Sequence, residues 1–532
     1  MQVSPQIGDG VIRRVFPGLA ALFLAGAAVF AEEPQARRAP AARTVLCVSK
    51  PGERQHCPAD TRAGVALLQS TGEAECLLGR TWGYDQSGVW VSDGCSGEFL
   101  PGQAVPEASA VTAPPAPAST GAPAAPAGRA PTDRIESWGE FEPGDGFLIG
   151  RSDVGELSVS AYALVRYVNQ LPADETFTDH LGNVHAVDTR QDFFPHRVMV
   201  FLKGWIATPK LLYNIFFWTV NATDQKALFA VMGYQFTRRF SLYAGINGLP
   251  GTRSVQGSHP YWLAHDRVMA DEFFRPYFGY GVWAQGEVLP GLWYNDQLAV
   301  TSSSLGVTAS QLDRRWSTGA SVFWMPTTRE FGPRGAYGDW EMHEKVATRF
   351  GISSAWSPEE RYTDANTGKT GNTTIRLVDS LNVFDTGSLA QGVTVTNLDY
   401  RLLSLDAGVK YRGFFLQTEF YNRWLDNFEA DGPLPVSQIH DTGFYVQASF
   451  FPVPKRLEVY GATSQIFGDE DAGFGDSSEY LVGANFYPFK TRNHRLNLQV
   501  IDVNHSSVSS SFGYYIGGQT GTTLSAAFSI LF

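Results

Sequence analysis

The chain has 532 residues, 18% charged and 13% aromatic, with 54 Gly, a net charge of -12 and a mean hydropathy of -0.15. That acidity argues against a nucleic-acid partner, and no window supplies the roughly 20 consecutive apolar residues of a transmembrane helix. A membrane protein of such low hydropathy has to be a barrel, because lumen and loops dilute the lipid-facing half of each strand.

Residues 1–31 read as a secretory signal: Arg13 and Arg14, an apolar core from Gly18 to Phe30, and the small-residue exit at Ala31. All four cysteines, Cys47, Cys57, Cys76 and Cys95, fall within 44–100. An even count behind an export signal predicts two disulfides in a small periplasmic domain and leaves three pairings open. Wide spacing without a CxxC disfavours zinc, and no metal or cofactor is expected. The aromatics Trp82, Tyr84 and Trp90 are candidate glycan contacts, with peptidoglycan as the expected partner, or else the core of a domain too small to do without large side chains. Residues 101–131 are rich in Pro and Ala and form an extended linker, reaching up to roughly 90 Å.

From about residue 150 to 532 the pattern changes to period two. The last stretch, TTLSAAFSILF, puts Leu524, Ala526, Phe528, Ile530 and Phe532 on one face and small or polar residues on the other. This alternation gives sixteen strands: 156–168, 196–207, 211–220, 226–236, 240–247, 276–288, 292–302, 315–325, 345–356, 398–411, 413–426, 439–451, 456–467, 477–488, 494–504 and 517–532. Short and long gaps alternate between them, as periplasmic turns and external loops do. The fold class is therefore all-β, a 16-stranded antiparallel transmembrane barrel carrying a small disulfide-bonded N-terminal domain. Residues 326–344 make a long periplasmic turn in this scheme, and the strand-like segment 374–383 belongs to an external loop over 357–397.

The gap 248–275 is polar and also holds Pro250, Pro260, Tyr261, Trp262, Phe273 and Phe274, which need burial, so it is expected to fold into the lumen and narrow it. Ten basic and twelve acidic residues precede residue 134, leaving 31 Lys+Arg against 41 Asp+Glu in the rest, a net of -10. Much of that acid sits in expected loops, and alternation points Arg166, Arg197, Lys203, Arg349 and Lys410 inward with Arg253, His265, Arg267 and Arg275 in the gap. These nine are the candidate pore residues. Because charge is screened over roughly 8 Å in physiological salt, the local wall outweighs the net charge, and the lumen leans toward anions. A cation-leaning pore, or a plugged barrel serving as a tether or adhesin, are the alternatives.

No GxSxG elbow accompanies His505, Ser506 and Ser507 or Asp476 and Ser477, so an enzyme is not expected. The acidic stretch 469–476 lacks the spacing of a calcium loop and reads as solvated, or as bridged through divalent ions to lipopolysaccharide.

Three resemblances add to this reading. The closing strand ending on Phe532 is similar to the C-terminal signature of bacterial outer-membrane barrels, which implies recognition by the outer-membrane assembly machinery. Trp82-Gly83, Val89-Trp90-Val91 and Gly94-Cys95 resemble a small domain of unknown function in secreted bacterial proteins. The segments 197–206, 239–251, His265-Asp266-Arg267, 275–288, 376–387 and 410–423 resemble the phosphate-selective porin O/P family in order and spacing. That likeness implies a passive outer-membrane channel of a Gram-negative bacterium, homotrimeric, taking small anions or other hydrophilic solutes.

Overall fold

The computed structural model describes residues 44–101 and 146–532, apart from 62–64, 221–224, 256–259, 300–314, 333–334, 364–369, 371–374, 510–512 and positions 73, 75, 78, 79 and 86. The expected signal segment, and all of the linker beyond residue 101, lie outside the described residues. The chain divides into two compact units within that linker.

In the first unit, strands Val45–Val48, Ser96–Pro101 and Val65–Ser70 form one antiparallel sheet, and Arg54–Pro58, Gly88–Ser92 and Trp82–Asp85 form another. Val89, Val91 and Phe99 are fully buried between them with Trp82, whose ring lies 4.9 Å from that of Phe99. So few apolar side chains cannot hold a domain of this size alone. Disulfides Cys47–Cys57 and Cys76–Cys95 staple it. A Cβ on Gly83 would stand 2.5 Å from the Trp90 ring, so only glycine lets that indole lie flat across its neighbouring strand.

The second unit is a closed barrel. Its strands are β1 Gly155–Pro172, β2 Gln191–Ile206, β3 Thr208–Val220, β4 Gln225–Thr237, β5 Phe240–Gly248, β6 Phe278–Leu289, β7 Leu292–Ala299 and β8 Ser317–Trp324. They continue as β9 Ala347–Glu360, β10 Val395–Tyr411, β11 Phe414–Ala430, β12 Gln438–Val453, β13 Leu457–Phe467, β14 Ser477–Phe486, β15 His494–Asn504 and β16 Gly521–Leu531. Each pairs antiparallel with the next, and β16 closes on β1 with Leu524 opposite Asn169 and Leu531 opposite Tyr162. A further short strand, Phe147–Arg151, pairs with the start of β1 just beyond the end of β16, where the Phe147 and Phe532 rings meet at 5.2 Å.

All sixteen expected strands are present, with shifted ends. Residues 375–383 add no seventeenth; they carry only an isolated bridge between Arg376 and Asn382. Alternate residues of each strand face outward, and there Phe236, Phe240, Trp324, Phe350, Phe414, Phe450, Phe486 and Phe532 form an exposed aromatic ring at the short-turn end. An apolar outer band with such a girdle is the surface a membrane-spanning barrel presents to lipid.

The interior departs from a plain polar lumen. Buried apolar residues of the segments 248–275, 326–344 and 375–395 pack with Phe415, Tyr421 and Tyr445 of the wall into one continuous core. Residues 326–344 are thus no simple turn: they fold back inside, burying Phe331, Tyr337 and Asp339, because Phe331 and Tyr337 find aromatic partners on the wall at Phe415.

Candidate functional site: two inserted segments and the wall that holds them

The insertion 248–275 enters the barrel through a sterically narrow point. Leu249 and Pro250 lie against Gly319 of β8, where a Cβ would stand 2.9 Å from Pro250 and 3.0 Å from Leu249. Beyond them the Arg253 backbone N–H donates to Glu419 Oε1 at 2.9 Å, and the Arg253 guanidinium donates to the Gly335 carbonyl at 2.7 Å while lying 4.0 Å over the Tyr337 ring. The two insertions, 248–275 and 326–344, therefore meet each other inside the barrel, since Tyr337 N–H also donates to the Tyr261 carbonyl at 2.8 Å.

The middle of the loop is held by charge. Asp266 accepts from Arg166 of β1 and, at 2.9 Å, from Arg197 of β2. Arg495 of β15 donates to the Trp262 carbonyl at 2.6 Å and bonds His265 Nδ1 at 2.8 Å. A short helix, α1 Met269–Phe274, comes next. Its first N–H groups, which a helix start leaves without internal partners, are taken by the wall: Met269 N–H donates to Glu479 Oε2 at 2.8 Å and Ala270 N–H to Ser464 Oγ at 3.2 Å. Phe274 stacks on Tyr421 at 4.9 Å, and Arg423, paired with Asp441 at 2.5 Å, lies 4.0 Å over Phe273. Within the loop Arg275 binds Glu272 at 2.8 Å, and Arg267 binds Ser254 Oγ at 2.7 Å and sits 3.6 Å from Asp271.

Seven of the nine candidate pore residues thus act together, as anchors of the insertions. Arg166, Arg197, Arg253, His265, Arg267 and Arg275 tie the loop to itself or to the wall, and Lys410 ties the other insertion, donating to the Phe331 and Ala336 carbonyls at 2.7 Å. Arg349 binds Asp406 at 2.9 Å beneath them, and Lys203 is buried on the same inward face of β2 as Arg197. Of the partners, Asp266 is marked in the sequence only within the His265-Asp266-Arg267 resemblance, and Glu479, Arg423 and Arg495 are not singled out; inward parity on β11, β14 and β15 was the available signal for these three.

Asp339, Glu341 and His343 lie close enough together to be considered for an ion. Their atoms are already engaged: His343 bonds Asp339 and, at 2.7 Å, Glu330, while Asp339 Oδ2 accepts from Gly413 N–H at 2.7 Å. Burial alone would pull the His343 pKa down, but the hydrogen bonds its ring donates to the Asp339 and Glu330 carboxylates hold it up at about 9 against an ordinary 6.5. A raised folded-state value means that stability is fully present below pH 6.5 and is lost as pH rises through about 9. The insertion 326–344 is accordingly expected to become more protease-sensitive between those limits, and His343→Asn to remove that dependence, as limited proteolysis across pH would read.

In the first unit, Trp82 is buried, Tyr84 is exposed, and Trp90 is half-buried beneath Arg54 at 3.9 Å. Of the residues weighed for a hydrolase, the His505 ring bonds Asn504 Oδ1 at 3.1 Å, while the Ser477 hydroxyl bonds the Ser507 hydroxyl and donates to the His505 carbonyl.

The family of proteins of unknown function DUF3011 matches residues 27–115. No curated protein matches the chain. Among solved structures, the trimer form of OmpT, an outer membrane protein of Vibrio cholerae, is similar at 9% identity and TM-score 0.44 over 71% of this chain and 100% of that one. The anion-selective porin from Comamonas acidovorans is similar at 13% and 0.40 over 71% and 100%. The outer membrane channel DcaP of Acinetobacter baumannii is similar at 8% and 0.39 over 73% and 99%. Likeness at this level carries no argument about function.

Proposed function

We propose that the chain is an outer-membrane porin for passive diffusion of small hydrophilic solutes, with a preference for anions. The observation that carries this is a closed sixteen-strand sheet, apolar outside, whose interior is constricted by a charged loop held at its middle. An inward loop of this kind sets pore width and local potential. Support for the anion preference is local: Arg166 and Arg197 share the single carboxylate of Asp266, Arg495 lies beside them on His265, and Arg190 pairs with Asp192. In a narrow low-dielectric lumen such an excess raises anion concentration. The phosphate chemistry of the family that the sequence resembles belongs to the same proposal, tested by phosphate block of chloride current and its relief in Arg267→Ala or Lys203→Ala.

A second reading has its own observation. The apolar core of the lumen favours a plugged barrel acting as an envelope tether, with the N-terminal domain in the periplasm on peptidoglycan through Tyr84 and Trp90. Retention of the protein on peptidoglycan sacculi, lost in Tyr84→Ala, is the test of that part. Homotrimer formation, contacts with lipopolysaccharide and handling by the assembly machinery are further parts of the proposal, read by native mass and by outer-membrane recovery after deleting Phe532.

A further inference from the structure

One stretch of the lumen wall is polar but uncharged. On the inward faces of β5 and β6, Tyr243 and Trp283 stand side by side, rings stacked at 5.5 Å and 11°. Directly below, Gln285 lies opposite Asn295, and Asn295 opposite Ser321, in one horizontal row across β6, β7 and β8. Gln297 lies opposite Trp283 in the row above. These residues are nearly or fully buried: Gln285 is 1% exposed, Trp283 2%, Gln297 2%, Ser321 2% and Asn295 3%.

Several of their polar atoms are nevertheless unsatisfied. Both amide atoms of Gln285, the indole N–H of Trp283, Asn295 Oδ1, Gln297 Oε1 and Ser321 Oγ find no hydrogen-bond partner among the described residues. Leaving a buried polar group unpaired is costly, and such groups gathered in one row call for a common partner. The donors and acceptors are all neutral, so nothing here selects an ion. Two aromatic faces lie beside them, which suit an apolar ring face better than water alone.

We propose that this wall is a binding face for neutral polyhydroxylated solutes: a sugar ring lies against Trp283 and Tyr243 while its hydroxyls bond Gln285, Asn295 and Ser321. A pyranose offers what the wall lacks, C–H faces for the aromatic rings and alternating donors and acceptors for the amides. The inference rests on the channel reading, and it widens the solute class beyond anions to include uncharged carbohydrate.

The test is ion current through the full chain in a planar bilayer with maltotriose added. Concentration-dependent block at millimolar levels is expected, exceeding that of a polyethylene glycol of equal hydrodynamic radius. Gln285→Leu should raise the half-blocking concentration about fivefold, the loss of one or two neutral hydrogen bonds, with salt conductance unchanged. Ser321→Val serves if that variant fails to fold, with a rise of about threefold. Block by maltotriose no greater than by the inert polymer, in a chain that conducts, overturns the proposal and leaves the channel reading standing. If the chain carries no current, the channel reading fails, and calorimetric binding of maltotriose to the detergent-folded protein decides this one: no heat of binding overturns it.

Discussion

Replacing Asp266 by Ala is expected to destabilise the barrel by about 3–5 kcal/mol, the cost of leaving buried cations without their counter-charge. Arg166 is 1% exposed and Arg197 7%, and both point at this carboxylate. Arg166→Ala should cost less, because Asp266 keeps Arg197. The denaturant midpoint in detergent reads the stability. The Asp266→Ala variant is also expected to conduct more, since the loop is released from β1 and β2 at its middle. Equal stability in Asp266→Ala and wild type would remove the anchoring role from this cluster.

Cys76→Ser with Cys95→Ser is expected to destabilise the N-terminal domain by about 3 kcal/mol, the loss of one native crosslink over a loop of this order. With Val89, Val91 and Phe99 as the centre of a small core, that loss exceeds what packing can compensate. Protease should then cut within 44–101 at concentrations that spare the barrel. The Cys47–Cys57 bridge closes a shorter loop, a separation of 10 against 19, so Cys47→Ser with Cys57→Ser should cost less.

Period two made the barrel legible in the sequence. Leu524, Ala526, Phe528 and Ile530 alternate with small or polar partners, and the same signal recurs from strand to strand, so existence, count and facing could be read. The aromatic content of 248–275 was enough to send that loop inward, because Trp262, Phe273 and Phe274 cannot remain in water. What stayed hidden depends on distant pairings. Lys410 and Phe331 meet across 79 positions of sequence, and nothing local tells that the 326–344 segment folds back onto that lysine. Arg166 likewise reads as a free lumenal cation until Asp266, 100 residues later, is brought to it. Which charges cancel is thus a tertiary property, whereas which charges point inward is a local one. Trp82 shows the same limit in the small domain: as a candidate glycan contact it is indistinguishable in sequence from Tyr84, and only the fold puts it against Phe99.

The most direct measurement is planar-bilayer conductance of the purified full chain under a chloride salt gradient. The channel reading predicts discrete current steps and a reversal potential displaced toward the chloride equilibrium value. A silent bilayer with correctly folded protein would contradict it and leave a plugged envelope tether in its place.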